Sequence, residues 1–242
     1  MHKIEESNQI EFRGYPFYEL TDYGYKFVFN EESIKEANNQ GISEQKAYAS
    51  ILGKYCGMFK RDKLIVKALL KNNIKKVYDI GGDRGGLAKL LILNGIEVTV
   101  FEPRLESIEY MRSYNINCEQ ISVQELTKNF SKYIPNEPKT AILCLNFTHA
   151  KWNNENEKNA FFEVINKSNA EIFIFSWLGQ MSNIFTEYYE ESSFNLQTKG
   201  YFFHRNFIGL ANKLRLSKYI KYMNFLMIET EYETMQRLLK KK

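Results

Sequence analysis

The stretch VYDIGGDRGGLAKLL, from Val77 to Leu91, constrains the fold more than any other part of the chain. An apolar run of strand type ends in a glycine cluster and passes directly into a helical pattern. Glycines at Gly81, Gly82, Gly85 and Gly86 allow a turn too tight for most side chains. In an open parallel sheet, ligands lie beyond the carboxyl ends of the strands, where such turns meet helix N-termini.

The same rhythm continues downstream. IKKVYDI, IEVTVFEP, INCEQI, TAILCLNF and AEIFIFSW read as strands. RGGLAKLLILNG, RLESIEYMRSYN and NNENEKNAFFEVINKS between them read as helices, the first closed by Gly95. The strands are continuously apolar rather than alternating, which indicates strands covered on both faces. The expectation is an α/β, Rossmann-like, doubly wound, mostly parallel seven-stranded sheet with helices on both faces.

The flanks read differently. Residues 1–42 are ring-rich. Tyr23, Tyr25, Phe27 and Phe29 alternate with Gly24, Lys26 and Val28, a period of two that places them on one strand face. This segment is expected to be an N-terminal extension, either a lid, a dimer arm of a homodimer or a stripe packed on the domain. Residues 43–242 are expected to form the main domain, beginning with helical sequence from the N-cap Ser43. Beyond Trp177, MSNIFTEYYEES is expected to be helical, GYFFHRNF and IKYMNFLMIETEY to be strands, and the terminal lysines to be a solvated tail.

Composition excludes several classes. A net charge of +4 over 242 residues is well short of a nucleic-acid signature. Three widely spaced cysteines argue against a disulfide framework or zinc site and for a reducing compartment. The polar start MHKIEESNQIEF has no signal-peptide core, and no stretch approaches ~18 apolar residues, so no membrane span and a cytoplasmic location are expected.

Two ligands compete for the glycine turn. A dinucleotide would need a close backbone approach at the second fingerprint glycine, where this chain has Asp83. Two like unit charges ~4 Å apart repel by ~4 kcal/mol at an effective dielectric of ~20. S-adenosylmethionine carries no phosphate and two cationic groups, so a carboxylate there is tolerated.

The motif Asp79-Ile80-Gly81-Gly82-Asp83-Arg84-Gly85 resembles the first motif of the class I S-adenosylmethionine-dependent methyltransferases, with Asp83 in place of the middle glycine. Glu102 in VTVFEP, 23 residues after Asp79, is similar to their second motif, an acidic residue that grips both ribose hydroxyls. The resemblance covers roughly residues 74–177. It implies a cofactor site of Asp79, Gly81, Gly82, Asp83, Gly85, Glu102, Pro103, Ser122, Val123 and Asn146. At the adenine position QISVQEL offers Ser122 and Val123 instead of the usual Asp and small residue. Arg84 is expected either at the ligand's carboxylate or in solvent.

By the same resemblance the acceptor lies over the end of the fourth strand, LCLNFTHAKW. His149 is the candidate general base and Asn146 the orienting residue. Thr148, Trp177, His204 and Arg205 are candidate substrate contacts. Asn146-Phe147-Thr148-His149 lacks the prolines of base-modifying enzymes, which argues against nucleic acid. The expected activity is methyl transfer to a small molecule. The favoured acceptor is a sugar or nucleotide-activated sugar of a bacterial surface or capsular polysaccharide, since VTVFEP is similar to motifs of glycan-modifying methyltransferases. No metal is expected. The competing readings are methylation of another metabolite or of RNA, a non-catalytic cofactor-binding module, and a nicotinamide-dependent oxidoreductase.

Overall fold

The structure, a computed structural model, describes residues 18–27, 61–145, 154–176, 189–191 and 236–241, with Lys35 and Asn39 in helical backbone. A hairpin comes first: β1 (Tyr18–Thr21) and β2 (Gly24–Phe27) pair antiparallel through a turn at Asp22 and Tyr23. Helix α1 is described over residues 61–71. Then follow β3 (Lys76–Ile80), α2 (Gly86–Leu93), β4 (Glu97–Glu102), α3 (Leu105–Ser113), β5 (Cys118–Gln120), and the short helices α4 (Val123–Lys128) and α5 (Phe130–Tyr133). The chain continues through β6 (Thr140–Cys144), α6 (Glu155–Lys167), β7 (Ile172–Ser176), β8 (Tyr189–Glu191) and β9 (Gln236–Lys241).

The main sheet has the order β5-β4-β3-β6-β7-β9-β8. Strands β3 to β7 run parallel, and β9 pairs antiparallel with both β7 and β8. The order reverses at β3, with β4 on one side and β6 on the other. A ligand crevice in a doubly wound sheet opens at that switch point.

The strands are apolar on both sides because both sides are covered. Val77, Val98, Val100, Ala141, Leu143, Ile172 and Ile174 face one core, with α1, α2, α3 and the hairpin. Tyr78, Phe101, Ile142, Cys144, Phe173 and Phe175 face the other, with α4 and α6. This alternation places Asp79 and Glu102 on the first face, beside Val77 and Val100.

The hairpin belongs to that first core. Tyr18, Leu20 and Tyr25 are buried within it. The expected ring stripe is broken, because Tyr23 is 92% exposed in the turn while Tyr25 is buried. Phe29 lies outside the described residues. Tyr25 Oη donates to Asp62 Oδ2 at 2.8 Å, and Arg61 Nε donates to Asp62 Oδ1 at 2.7 Å. Removing a hydrogen bond to a charged group costs about 1.5–3 kcal/mol. Tyr25→Phe is therefore expected to destabilise the protein by about that much in urea titrations, and a change under ~0.5 kcal/mol would deny the hairpin this anchoring role.

Two expectations for the carboxyl-terminal part are corrected. Tyr189–Glu191, within the segment read as helical, is a strand. Lys240 and Lys241 are not a free tail: they pair with Ile172 and Tyr189 in the ladder. Ladder bonds are backbone bonds, so charged side chains do not prevent pairing. The segments GYFFHRNF and IKYMNFLMIETEY lie outside the described residues. Among the described residues no helix is long and apolar enough to cross a membrane.

Candidate cofactor site at the carboxyl end of the sheet

The turn after β3 is built from left-handed backbone. Gly81, Asp83 and Gly85 have φ of 76°, 53° and 78°. Gly81 N–H donates to Phe101 O at 2.8 Å, which ties the turn to β4, and Gly85 N–H donates to Gly82 O at 3.0 Å. Gly82 has no such φ, yet it is the most crowded position of the turn. A Cβ there would stand 2.5 Å from Val100 Cγ1 and 2.8 Å from Asp79 Oδ2. The position that the motif leaves variable is thus held to glycine by its neighbours.

Asp83 stands where the motif it resembles has glycine, and the structure accounts for it. Aspartate is among the few side chains that tolerate left-handed backbone. Its carboxylate is shared by two donors: Tyr18 Oη at 3.3 Å to Oδ2, and Arg104 Nη2 to Oδ1. Burial pushes the Tyr18 phenol well above its ordinary value, with Asp83 adding to the rise. Tyr18 therefore stays protonated and remains a donor. The hairpin is in this way joined to the turn.

Asp79 is the last residue but one of β3 and is 3% exposed. Burial, followed by the nearby Asp62 carboxylate, pushes it from 3.8 up to about 7, against a lowering by Arg61. Glu102 and Asp83 raise it further. Four carboxylates thus share one end of the sheet with Arg61 and Arg104, a field that favours a cationic ligand over a phosphate. Cys144, on β6, is buried, and that burial raises its thiol well above the ordinary range, with Asp79 adding to it. It is a core residue with no thiolate character.

Glu102 ends β4, is 3% exposed and faces the turn. Its Oε2 accepts from Asp83 N–H at 3.2 Å. Its Oε1 accepts from Arg104 N–H at 3.2 Å and from Arg104 Nε at 2.7 Å. Asp79, Gly81, Gly82, Asp83, Gly85 and Glu102 are therefore brought together as the sequence suggests.

Pro103 follows Glu102 on the surface, and its carbonyl accepts from Gln120 Nε2 at 3.3 Å. Ser122 and Val123 lie just past β5, where α4 begins. The Ser122 hydroxyl accepts from Glu125 N–H at 3.2 Å as the N-cap of that helix, and Val123 packs on the second core. The Arg84 side chain is 17% exposed. It stacks 4.0 Å over the Tyr110 ring and pairs with Glu106 at 3.4 Å. Asn146, Thr148, His149, Trp177, His204 and Arg205 lie outside the described residues. Among the described residues no group of three His, Cys, Asp or Glu side chains is arranged to hold a metal ion.

Four residues at this end of the sheet carry no motif: Tyr18, Arg61, Asp62 and Arg104. Within the charged run KRDK at residues 60–63, Arg61 and Asp62 are 6% and 0% exposed. Of the four, Arg104 alone adjoins a motif, FEP.

No protein-family profile matches the sequence, and no curated protein does. Solved structures match in fold. The magnesium protoporphyrin IX methyltransferase (ChlM) of Synechocystis PCC 6803, crystallised with bound SAM, superposes with a TM-score of 0.53 at 10% identity, over 79% of this chain and 83% of that one. The N-methyltransferase NodS of Bradyrhizobium japonicum gives 0.46 at 11% identity, over 76% and 95%. The methyltransferase domain of bacterial CtHen1 gives 0.45 at 15% identity, over 75% and 98%. The fold assignment rests on the first of these. The sheet described above shares the fold of that methyltransferase.

Proposed function

We propose that this chain is an S-adenosylmethionine-dependent methyltransferase acting on a small molecule. The observation that carries the reading is Glu102, a buried carboxylate at the end of β4 that faces the left-handed turn after β3. A dinucleotide would bring its pyrophosphate against Asp83, and Asp79 and Glu102 add to the same negative field.

The residues present fit this cofactor. Glu102 would accept from the ribose hydroxyls, and the turn at Gly81–Gly85 would receive the amino-acid end beside Asp79. Ser122 and Val123 would border the adenine. The bound cofactor supplies a methyl group activated for displacement by its sulfonium. The chain's own part is to bind, orient and desolvate, which brings most of the rate in reactions of this kind. His149 would take the acceptor's proton, and Asn146 would orient the acceptor. Thr148, Trp177, His204 and Arg205 would line its pocket, with Arg205 suited to an anionic group such as a sugar phosphate.

For the acceptor we favour a sugar or nucleotide-activated sugar of a surface polysaccharide. Support comes from the missing Asn-Pro-Pro motif, the modest net charge and the similarity of VTVFEP to glycan-modifying enzymes. ChlM acts on a porphyrin by its name, so the fold leaves the acceptor open.

Calorimetry tests the cofactor first. S-adenosylhomocysteine is expected to bind and NADH is not; the reverse would make the chain an oxidoreductase. Labelled cofactor with a panel of nucleotide sugars, RNA and peptides tests the acceptor. Transfer to RNA or peptide with none to sugars would reverse that choice, and binding without turnover would indicate a non-catalytic module.

A further inference from the structure

The hydrogen bonds on Glu102 raise a problem of capacity. A carboxylate offers four lone-pair sites, two on each oxygen. On Oε1 both are taken, by Arg104 N–H at 3.2 Å and Arg104 Nε at 2.7 Å. On Oε2 one is taken, by Asp83 N–H at 3.2 Å. Clasping a ribose diol with both oxygens needs one site on each. Oε2 has one to give, and Oε1 has none while Arg104 Nε stays.

The three donors are not alike. Asp83 N–H and Arg104 N–H are backbone groups, fixed by the turn and by the start of α3, where Arg104 is the N-cap residue. They orient the carboxylate permanently. The Arg104 guanidinium is the only side-chain donor among the three, and the side chain is 59% exposed where that of Glu102 is 5% exposed. If the guanidinium swings out, Glu102 keeps both backbone bonds and exposes one site per oxygen. Asp83, released by the same movement from Arg104 Nη2, keeps its bond from Tyr18 Oη at 3.3 Å.

We infer that Arg104 is a displaceable latch on the nucleoside-binding carboxylate: its Nε holds the position that one ribose hydroxyl takes, and a nucleoside binds by exchanging with it. The inference rests on the reading of Glu102 as the ribose ligand. The latch keeps a buried carboxylate satisfied until a ligand with a vicinal diol replaces the guanidinium, which makes the exchange selective for ribosides over simple cations that lack a diol.

Adenosine, which is neutral, is the suitable probe, because a change in net charge at residue 104 then adds little. Titration calorimetry on the full chain is expected to show adenosine binding about threefold to tenfold tighter to Arg104→Met than to the wild type, the worth of one exposed hydrogen bond released from competition. Arg104→Lys, which keeps the charge but lacks Nε, is expected to fall between. In the wild type, the hydrogen-bonded Nε–H resonance of Arg104 is expected to disappear or shift as adenosine is added, a readout that needs no variant. Equal or weaker binding to Arg104→Met, with the Nε–H resonance unmoved, would overturn the latch while leaving the site in place. Failure of the wild type and both variants to bind either adenosine or S-adenosylhomocysteine would overturn the site assignment, and the latch with it.

Discussion

Asp79→Asn is expected to raise the melting temperature of the protein at pH 8 and to weaken its hold on the cofactor. Burial and the neighbouring Asp62 carboxylate push Asp79 from 3.8 up to about 7. The folded protein therefore holds a proton between about pH 4 and 7 that the unfolded chain releases. Stability falls as pH rises through that window, and the full penalty, on the order of 4 kcal/mol, is present above pH 7. Asparagine has no charge to bury. With partial relaxation the gain at pH 8 is expected to be about 2–3 kcal/mol, or roughly 5–10 °C for a chain of this size. Near pH 4 the two proteins should melt together. A difference that stays constant with pH, or a less stable variant at pH 8, would show that Asp79 is not held against its ionisation.

A group that costs the fold this much is accounted for by what it binds. A cation arriving beside Asp79 favours the carboxylate form and so displaces its proton. Affinity for S-adenosylhomocysteine, whose amino group is charged, is expected to rise about fivefold between pH 6 and 7, about tenfold by pH 8, and to level above. Calorimetry at pH 6.5 in buffers of different ionisation enthalpy should report release of about three-quarters of a proton. In Asp79→Asn the pH dependence should vanish and the affinity drop by about tenfold or more.

Much of this arrangement is legible in the sequence, for identifiable reasons. A parallel strand buried on both faces leaves an uninterrupted apolar run, so β3, β4, β6 and β7 stand out in IKKVYDI, IEVTVFEP, TAILCLNF and AEIFIFSW. The turn is legible because backbone of positive φ is written in glycine. The hairpin was half legible. Its alternation of rings is real at Tyr25, but the pattern runs straight through a turn at Asp22 and Tyr23, and only Gly24, with φ of 126°, marks the reversal. Arg61 and Asp62 were illegible because their burial depends on Tyr25, 37 positions from Asp62, and on Asp79 from the sheet. No local pattern reveals that a charged pair in a helix faces inward. The ties of Asp83 to Tyr18 and Arg104, 65 and 21 positions away, are of the same kind. The charge of Asp83 is legible from its residue type, and its partners are not.

The largest effect on ligand binding is expected at Gly82, and comparison with two other glycines isolates its cause. Gly95 has φ of 76° and nothing within 4 Å of an added Cβ. Gly95→Ala should therefore cost backbone strain alone, about 1 kcal/mol. Gly85 combines φ of 78° with a Cβ 2.9 Å from Ile116 Cδ1 and Met111 Cγ. Met111 is flexible enough to yield part of that space, so about 2 kcal/mol is expected. Gly82 carries no left-handed strain, but its Cβ would press on Val100 Cγ1 and Asp79 Oδ2. Val100 is fully buried in the middle of the sheet, and Asp79, buried near the end of β3, is paired with it in the ladder. Neither retreats without opening β3 from β4. Overpacking of this sort costs about 1–3 kcal/mol, and here it also lifts the turn away from Glu102. Gly82→Ala is expected to lose about that much stability in urea titrations and to bind S-adenosylhomocysteine at least about a hundredfold more weakly, while Gly95→Ala binds as the wild type does. If Gly82→Ala bound normally, the turn would not be the cofactor's seat, because no displacement of β3 against β4 can leave Asp79, the turn and Glu102 in register.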